Sequence, residues 1–328
     1  MACLTALDMD EAQLLAAEYG LRLLNVEPIE AGSVNSNFRF DCETGPVFAR
    51  IYEEQDAEGA AAELRVLEGL SKAGVAVSAA LPRLDGGLVG ITSGGKPFSV
   101  YPWVVGEWLC HQRLKESHCR ALGRALARVH EATPTLGSLP KGRFGEPELR
   151  ARLDYILRHG PEFEDSVRFI ERGLEAYANS TEGELPQGLI HGDLFRDNVL
   201  WQVNRDSSEP EIAALLDFES ASEGVFVYDL MVCVLSWCFT GELELPRVNA
   251  LLDGYESVRP LSELERRATT TEGMAVCLRF ATTRITDFAM RTPKGAAPKR
   301  DFKRFLQRYS VLQAGVMDRV WRERALRP

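Results

Sequence analysis

Two short segments of the chain carry residue types and spacings suited to chemistry. His191-Gly192-Asp193-Leu194-Phe195-Arg196-Asp197-Asn198 sets an aspartate two residues after a histidine and an asparagine five residues after that aspartate. Asp217-Phe218-Glu219 begins 24 residues after Asp193. The arrangement suits phosphoryl transfer, which needs a carboxylate beside the acceptor hydroxyl and hard oxygen donors for the cation that neutralises a polyphosphate. On this reading Asp193 is the catalytic carboxylate, and Asn198 and Asp217 hold Mg2+ on ATP. Taken alone, the first segment fits a buried Asp–His–Asn network equally well; Asp217 at strand-end distance favours the chemical reading. His191 reads as a structural hydrogen-bonding residue.

A polyphosphate also needs a cation and a carboxylate to hold it. Arg50, at the end of an extended run, and Glu63, on the helix that follows, fit those parts, and Arg stays charged with a fork that matches phosphate. Backbone amides of 30–37 and the Ser33 hydroxyl are placed to cover the phosphates, although the loop has one glycine, Gly32. Tyr101-Pro102-Trp103-Val104 presents backbone groups of Trp103 and Val104 for the adenine. Asp229, at the start of an apolar helix, reads as a brace for the catalytic loop, and Glu219 as a solvent-facing loop residue, with an added carboxylate at the metal site as the alternative.

These parts must be positioned by two kinds of structure. A capping signal at Asp8 opens a short helix that stops at Gly20. Runs at 22–29, 37–40 and 47–52 predict an antiparallel meander, 57–73 a helix, and 84–104 two or three short strands. From about residue 108 the periodicity is helical, over 115–131, 147–178, 244–256, 262–290 and 300–325. The exceptions are Gly188-Leu189-Ile190 and Ile212-Ala213-Ala214-Leu215-Leu216, predicted to form a central hairpin. The fold class is α+β and two-lobed: a small antiparallel sheet lobe with one main helix over 1–106, a hinge near 101–106, and a larger, mostly helical lobe over 107–328. The nucleotide belongs to the first lobe, catalysis and the acceptor to the second, with the site in the cleft between them.

With 328 residues, 45% hydrophobic and 26% charged, the chain has an ordinary globular composition and room for two lobes. The net charge of -10 argues against nucleic acid and anionic membranes as partners. Residues 279–328 reverse the sign, with 13 basic and 4 acidic side chains. The longest apolar run, 224–239, is too short to span a bilayer and contains Asp229. The N-terminus lacks the basic start of a signal peptide, and the seven cysteines form no C-x-x-C pair. A cytoplasmic enzyme acting on a small molecule is the expectation.

Gly192-Asp193-Leu194-Phe195 with Asp197-Asn198, Asp217-Phe218 and Tyr228-Asp229-Leu230 resemble the aminoglycoside phosphotransferase-like kinases, which include choline kinases and have a protein-kinase-like fold. Within them, Gly32-Ser33-Val34-Asn35-Ser36-Asn37-Phe38, Leu235-Ser236-Trp237-Cys238-Phe239, Gly254-Tyr255-Glu256-Ser257-Val258-Arg259-Pro260-Leu261-Ser262 and Leu278-Arg279-Phe280 with Arg284 and Asp287 are similar to the bacterial homoserine kinase branch. Departures are Arg196 where Pro is usual, Ser236 where Asn is expected, Arg50 for Thr or Lys, and Glu219 for an aromatic. The resemblance implies ATP and Mg2+ as cofactors and L-homoserine as acceptor. A zwitterion needs a cation for its carboxylate, and Arg279 or Arg284 is expected to supply it, with Asp287 on the same face and Asn35 and Asn37 approaching from the small lobe. Aminoglycosides, choline or ethanolamine, hydroxylysine and methylthioribose stay open as acceptors, as does a catalytically dead nucleotide-binding protein.

Overall fold

Three consecutive segments pair as an antiparallel meander, β1 (Leu23–Ile29), β2 (Ser36–Cys42) and β3 (Gly45–Ile51), with every second residue buried at Phe38, Phe40 and Cys42 and at Val47, Ala49 and Ile51. β5 (Pro97–Pro102) joins β3, and the two-residue β4 (Gly90–Ile91) closes the edge, so the sheet order is β1-β2-β3-β5-β4. The structure, a computed structural model, describes residues 5–30, 34–180, 183–203, 209–292 and 300–326. Ser33, expected over the phosphates, lies outside the described residues.

The sheet buries one face against α1 (Met9–Glu18), where Ala12, Leu15 and Tyr19 meet Phe38, Phe40, Ile51 and Phe98. α2 (Ala57–Lys72) starts at Asp56, whose side chain accepts from the Gly59 amide at 2.8 Å. Its Leu64, Leu67 and Leu70 face the other way, into the large core that continues through the helical part. That side of α2 also carries Glu63.

The helical part is built on α3 (Glu116–Glu131), α4 (Glu146–His159), α5 (Glu164–Ala178), α6 (Phe226–Trp237), α7 (Leu245–Glu256), α8 (Glu263–Arg284), α9 (Lys303–Gln313) and α10 (Val316–Ala325). Three of the long segments expected from periodicity are interrupted. The 147–178 stretch breaks at Gly160-Pro161, where the proline has no amide to donate. The 300–325 stretch breaks at Gly315, in the left-handed region at φ 78°. The 262–290 stretch leaves α geometry after Arg284 for one π-helical turn, Ile285–Ala289.

The central strands also pair differently from the expected hairpin. β6 (Gln187–Ile190) pairs with β9 (Ser222–Val225), while β7 (Val199–Trp201) pairs with β8 (Ile212–Leu215). Val199-Leu200-Trp201 is a third apolar run, and its nearness in sequence to β8 gives it the shorter closure. Two small ladders therefore hold the ends of the catalytic segment. Glu107 and Trp201 exchange backbone hydrogen bonds at 2.9 Å, and the Leu215 amide donates to Ala76 at 2.7 Å, tying the chain beyond the sheet to these ladders. No helix among the described residues is long and apolar enough to cross a membrane.

α3 and α7 pack backbone to backbone through two glycines. A Cβ on Gly123 would lie 2.1 Å from the Leu251 carbonyl oxygen, and one on Gly254 would lie 2.0 Å from the Arg120 carbonyl oxygen. Overpacking of this kind costs ~1–3 kcal/mol or more because neither backbone can yield. Gly254→Ala is therefore expected to lower the unfolding free energy by at least ~2 kcal/mol in urea denaturation; wild-type stability in that variant would show that the helices are not in such close contact.

Candidate active site

The catalytic loop leaves β6 and turns at Gly192, at φ 73°. Its first two amides are held by one buried carboxylate on α6: His191 N–H donates to Asp229 Oδ2 at 2.7 Å and Gly192 N–H to Oδ1 at 2.8 Å. His191 is fully buried, and its Nε2 lies 2.9 Å from the Leu216 carbonyl while its Nδ1 lies 3.3 Å from the Asp193 amide. That pattern requires Nε2–H as donor and Nδ1 as acceptor. The ring thus joins the Asp193 loop to the chain entering Asp217.

Burial pushes the Asp193 carboxyl above its ordinary range; Arg279 and His191 pull it back, and Asp217 adds to the rise. A carboxylate tuned upward while still partly open to the cleft is suited to accept a proton. Asn198 Nδ2 donates to the Asp193 carbonyl at 2.8 Å, so the amide oxygen is the end available to a cation. The Leu216 amide donates to the Asn198 carbonyl at 2.9 Å, which brings Asp217 beside it. Asp217 lies two residues beyond β8 with φ 63° and ψ 64°, the one non-glycine residue with positive φ among those described. Such strain persists where the surroundings over-determine it, and it clusters at working sites. A neutral amide oxygen and a carboxylate on adjoining turns are hard donors of the type Mg2+ takes when phosphates and water complete its shell.

Arg50 on β3 and Glu63 on α2 form an ion pair at 3.7 Å, with side chains 15% and 4% exposed. Burial works against the Arg50 charge, but Tyr101, Asp217 and Glu63 outweigh it and keep the guanidinium protonated. Asn37, across the β2–β3 ladder, accepts from Arg50 Nε at 3.2 Å. Asn35 reaches the metal loop instead: its Oδ1 accepts from the Glu53 amide at 3.1 Å and its Nδ2 lies 3.4 Å from Glu219 Oε2. These hydrogen bonds run to Arg50, Glu53 and Glu219, and those of Arg279, Arg284 and Asp287 run to other partners. Glu219 is not solvent-facing, contrary to expectation. Its side chain is 10% exposed and pairs with Arg143 at 3.0 Å, because the turn after Asp217 directs it under the loop carrying Arg143.

On the acceptor side, Arg279 lies between the rings of Phe144 and Phe280, 4.0 and 3.9 Å from their centroids. Its Nη1 is 3.5 Å from Asp193 Oδ1 and 3.3 Å from the Gly192 carbonyl, and its Nε has no hydrogen-bond partner among the described residues. Arg284, further along α8, donates to the Asp301 carbonyl at 3.1 Å, packs on Phe305 at 4.5 Å and on Phe195 of the catalytic loop at 5.9 Å, and lies near enough to Asp193 to feel its charge. Asp287 pairs with Arg152 of α4 at 2.9 Å and makes no ion pair with Arg284, since the π-helical turn intervenes. Trp103 packs under the Arg39 guanidinium at 5.1 Å, and Val104 beside it is half-buried. Arg143, Phe144, Arg152 and Arg300, which pairs with Asp197 at 2.7 Å, were not predicted. They lie in loops or on exposed helix faces, and the Arg-Phe pair at 143–144 is the only local signal.

Residues 25–261 match the family described as "Phosphotransferase enzyme family". The chain belongs to that family. The phosphotransferase is 32% identical over 320 residues to a homoserine kinase of Rhizobium rhizogenes (strain K84), covering 94% of this chain and 95% of the relative. It is 33% identical to a homoserine kinase of Rhizobium etli over the same shares of each chain. Among solved structures, amicoumacin kinase hAmiN in complex with AMP-PNP, Ca2+ and Ami superposes with a TM-score of 0.68 at 16% identity, covering 94% of each chain. Spectinomycin phosphotransferase APH(9)-Ia, with ADP and its antibiotic, gives 0.66 at 15%, covering 95% of this chain and 100% of that one. The two-lobed, protein-kinase-like α+β fold is thereby established, and the chain is an enzyme that phosphorylates an alcohol group.

The phosphotransferase carries an electrostatic cost at Glu63. Burial lifts its pKa to about 7, Arg50 opposes the rise, and Asp217 and Glu219 add to it. A carboxyl raised from 4.5 to about 7 on folding makes the folded state less stable as pH climbs through that window, with no further change above it. Glu63→Gln removes the titration, so its stability relative to wild type should rise between those two pH values in denaturant titrations. A difference that stays flat with pH would contradict this.

Proposed function

We propose that the enzyme transfers the γ-phosphoryl group of ATP to the side-chain hydroxyl of L-homoserine, giving O-phospho-L-homoserine for threonine biosynthesis in the cytoplasm. The observation that carries the acceptor assignment is Arg279, a buried cation clamped between two rings beside Asp193. It would grip the carboxylate of a short amino acid whose hydroxyl lies against Asp193. Near-full-length similarity to homoserine kinases supports the same reading.

In this mechanism Asp193 orients the hydroxyl and accepts its proton as the oxygen bonds to the γ-phosphorus and the bond to ADP breaks. Arg50, held by Glu63 and Asn37, steadies the phosphates of the nucleotide. Asn198 and Asp217 would hold Mg2+, which when bound neutralises charge on the phosphates. The boundary between a nucleotide-binding lobe and a catalytic lobe falls near 101–106, with Trp103 and Val104 at the adenine. Arg284 and Asp287 serve the packing around the acceptor side on this reading. A polycation such as an aminoglycoside is disfavoured: the nearby carboxylates Asp197 and Asp287 are each taken by an arginine, Arg300 and Arg152.

Assay of the purified enzyme with Mg-ATP against homoserine, choline, ethanolamine, hydroxylysine, methylthioribose and kanamycin tests the acceptor; homoserine should give the highest kcat/KM. Asp193→Asn should lower kcat by ~10²-fold or more with KM for ATP kept, as loss of a general base predicts. Arg279→Ala should raise KM for homoserine at least ~10-fold, since a charge-assisted contact is lost. Turnover of another acceptor with none on homoserine would sink the substrate reading and leave the kinase reading intact.

A further inference from the structure

Behind the catalytic loop, a single directional chain of hydrogen bonds runs from the α7–α8 connection to Asp229. His130, buried on α3, places Nε2 3.1 Å from Asp229 Oδ2 and Nδ1 2.7 Å from the Tyr255 hydroxyl. Arg259 Nη1 donates to that hydroxyl oxygen at 3.1 Å and to Glu265 Oε1 at 2.7 Å. An ionised Asp229 accepts only, so His130 carries its proton on Nε2, Nδ1 must accept, and Tyr255 must donate to it. Arg259, which cannot accept, then fixes the other end of the hydroxyl. Every proton in the chain has one place.

The residues are pinned by packing as well. His130 stacks on Phe226 at 4.5 Å and 19°, and Arg259 packs over the same ring at 4.6 Å. Tyr255 follows Gly254, the close contact between α7 and α3, which sets its hydroxyl against His130. Glu265 closes the capping box of α8 with Ser262, accepting from the Ser262 amide at 2.9 Å while its own amide donates to Ser262 Oγ at 3.2 Å. α8 carries Arg279 and α6 carries Asp229. Arg259 is thus the junction at which the helix bearing Arg279 is registered against the brace of the loop bearing Asp193.

We infer that Tyr255 and Arg259 are positioning residues for the transfer step: Tyr255, by donating to Nδ1, holds the His130 ring in the orientation that presents its Nε2–H to Asp229, and Arg259 ties that setting to the start of α8. Neither touches a reacting group. Their effect is on where Asp193 stands relative to the acceptor, a quantity to which rate is steeply sensitive. The inference rests on the reading of Asp193 given above.

Tyr255→Phe removes one oxygen, and Arg259→Gln keeps much of the stem without the charge. Both are expected to lower kcat ~10-fold with KM for ATP and homoserine within twofold and cooperative thermal unfolding retained. The second readout is the 15N signal of the His130 ring, which in wild type should report an Nε2-protonated imidazole whose Nδ1 accepts a hydrogen bond; in Tyr255→Phe the proton stays on Nε2 and the Nδ1 signal should move to that of an unprotonated nitrogen without a hydrogen bond. His130→Gln, which can still donate to Asp229, should retain more activity than His130→Leu. A kcat within twofold of wild type in both variants, an unmoved ring-nitrogen signal, or a loss of rate that only tracks loss of folded protein would each overturn the inference. The ring signal needs no turnover, so full activity of Asp193→Asn would overturn the reading of Asp193 while leaving that result in place.

Discussion

The site depends on one buried carboxylate. Asp229, on a helix enclosed on nearly all sides, accepts both amides that precede Asp193 as well as the His130 proton. Burial alone would raise its pKa, but His130 and His191 outweigh that, and it lies below its ordinary range. Burial also holds His130 neutral, so the charge resides on Asp229. A carboxylate so placed cannot lose a donor cheaply, because an unmet buried charge costs several kcal/mol. The loop geometry and the α6 core are therefore a single requirement. Gly192, in the left-handed region, is what lets two successive amides turn toward the same group.

Charge balance in the cleft follows from that fixed loop. Asp217 lies near enough to influence Asp193, Glu63 and Glu219 alike, and Arg50, Arg143 and Arg279 are interleaved with these carboxylates. Each cation is held by a different part of the chain: Arg50 by the sheet, Arg143 by the loop before α4, Arg279 by α8. Glu219 joins the two sides of the cleft, receiving Asn35 from the sheet side and Arg143 from the helical side. Its position beside Asp217 makes it a structural tie between lobes, not the loose loop residue its flanking sequence suggests.

The parts of the site that sequence reading reaches are those with local spacing. His191, Asp193, Asn198 and Asp217 are close along the chain, and the apolar runs beside them bound the loop. Arg50 and Glu63 are reachable because a strand followed by a helix leaves few partners for either. The strand pairing was not legible, since β6, β7, β8 and β9 are each three or four residues long and any antiparallel pair among them satisfies the same apolar pattern. The breaks at Gly160-Pro161 and Gly315 were legible in residue type but masked by helical periodicity on both sides. Asn35 and Asp287 went elsewhere because their partners, Glu219 and Arg152, are distant in sequence, and the π-helical turn after Arg284 leaves no periodic trace. Tyr255 and Arg259 stood out as a motif whose role only the fold supplies.

The steady-state kcat of Asp229→Asn with Mg-ATP and homoserine tests the central claim most directly. The substitution keeps shape but turns one acceptor into a donor facing a loop amide, so the loop cannot keep both hydrogen bonds. The account predicts a fall of ~10²-fold or more in kcat, as expected when a reacting group is displaced by about an ångström, in a protein that still binds ATP. A kcat within a few fold of wild type would contradict it.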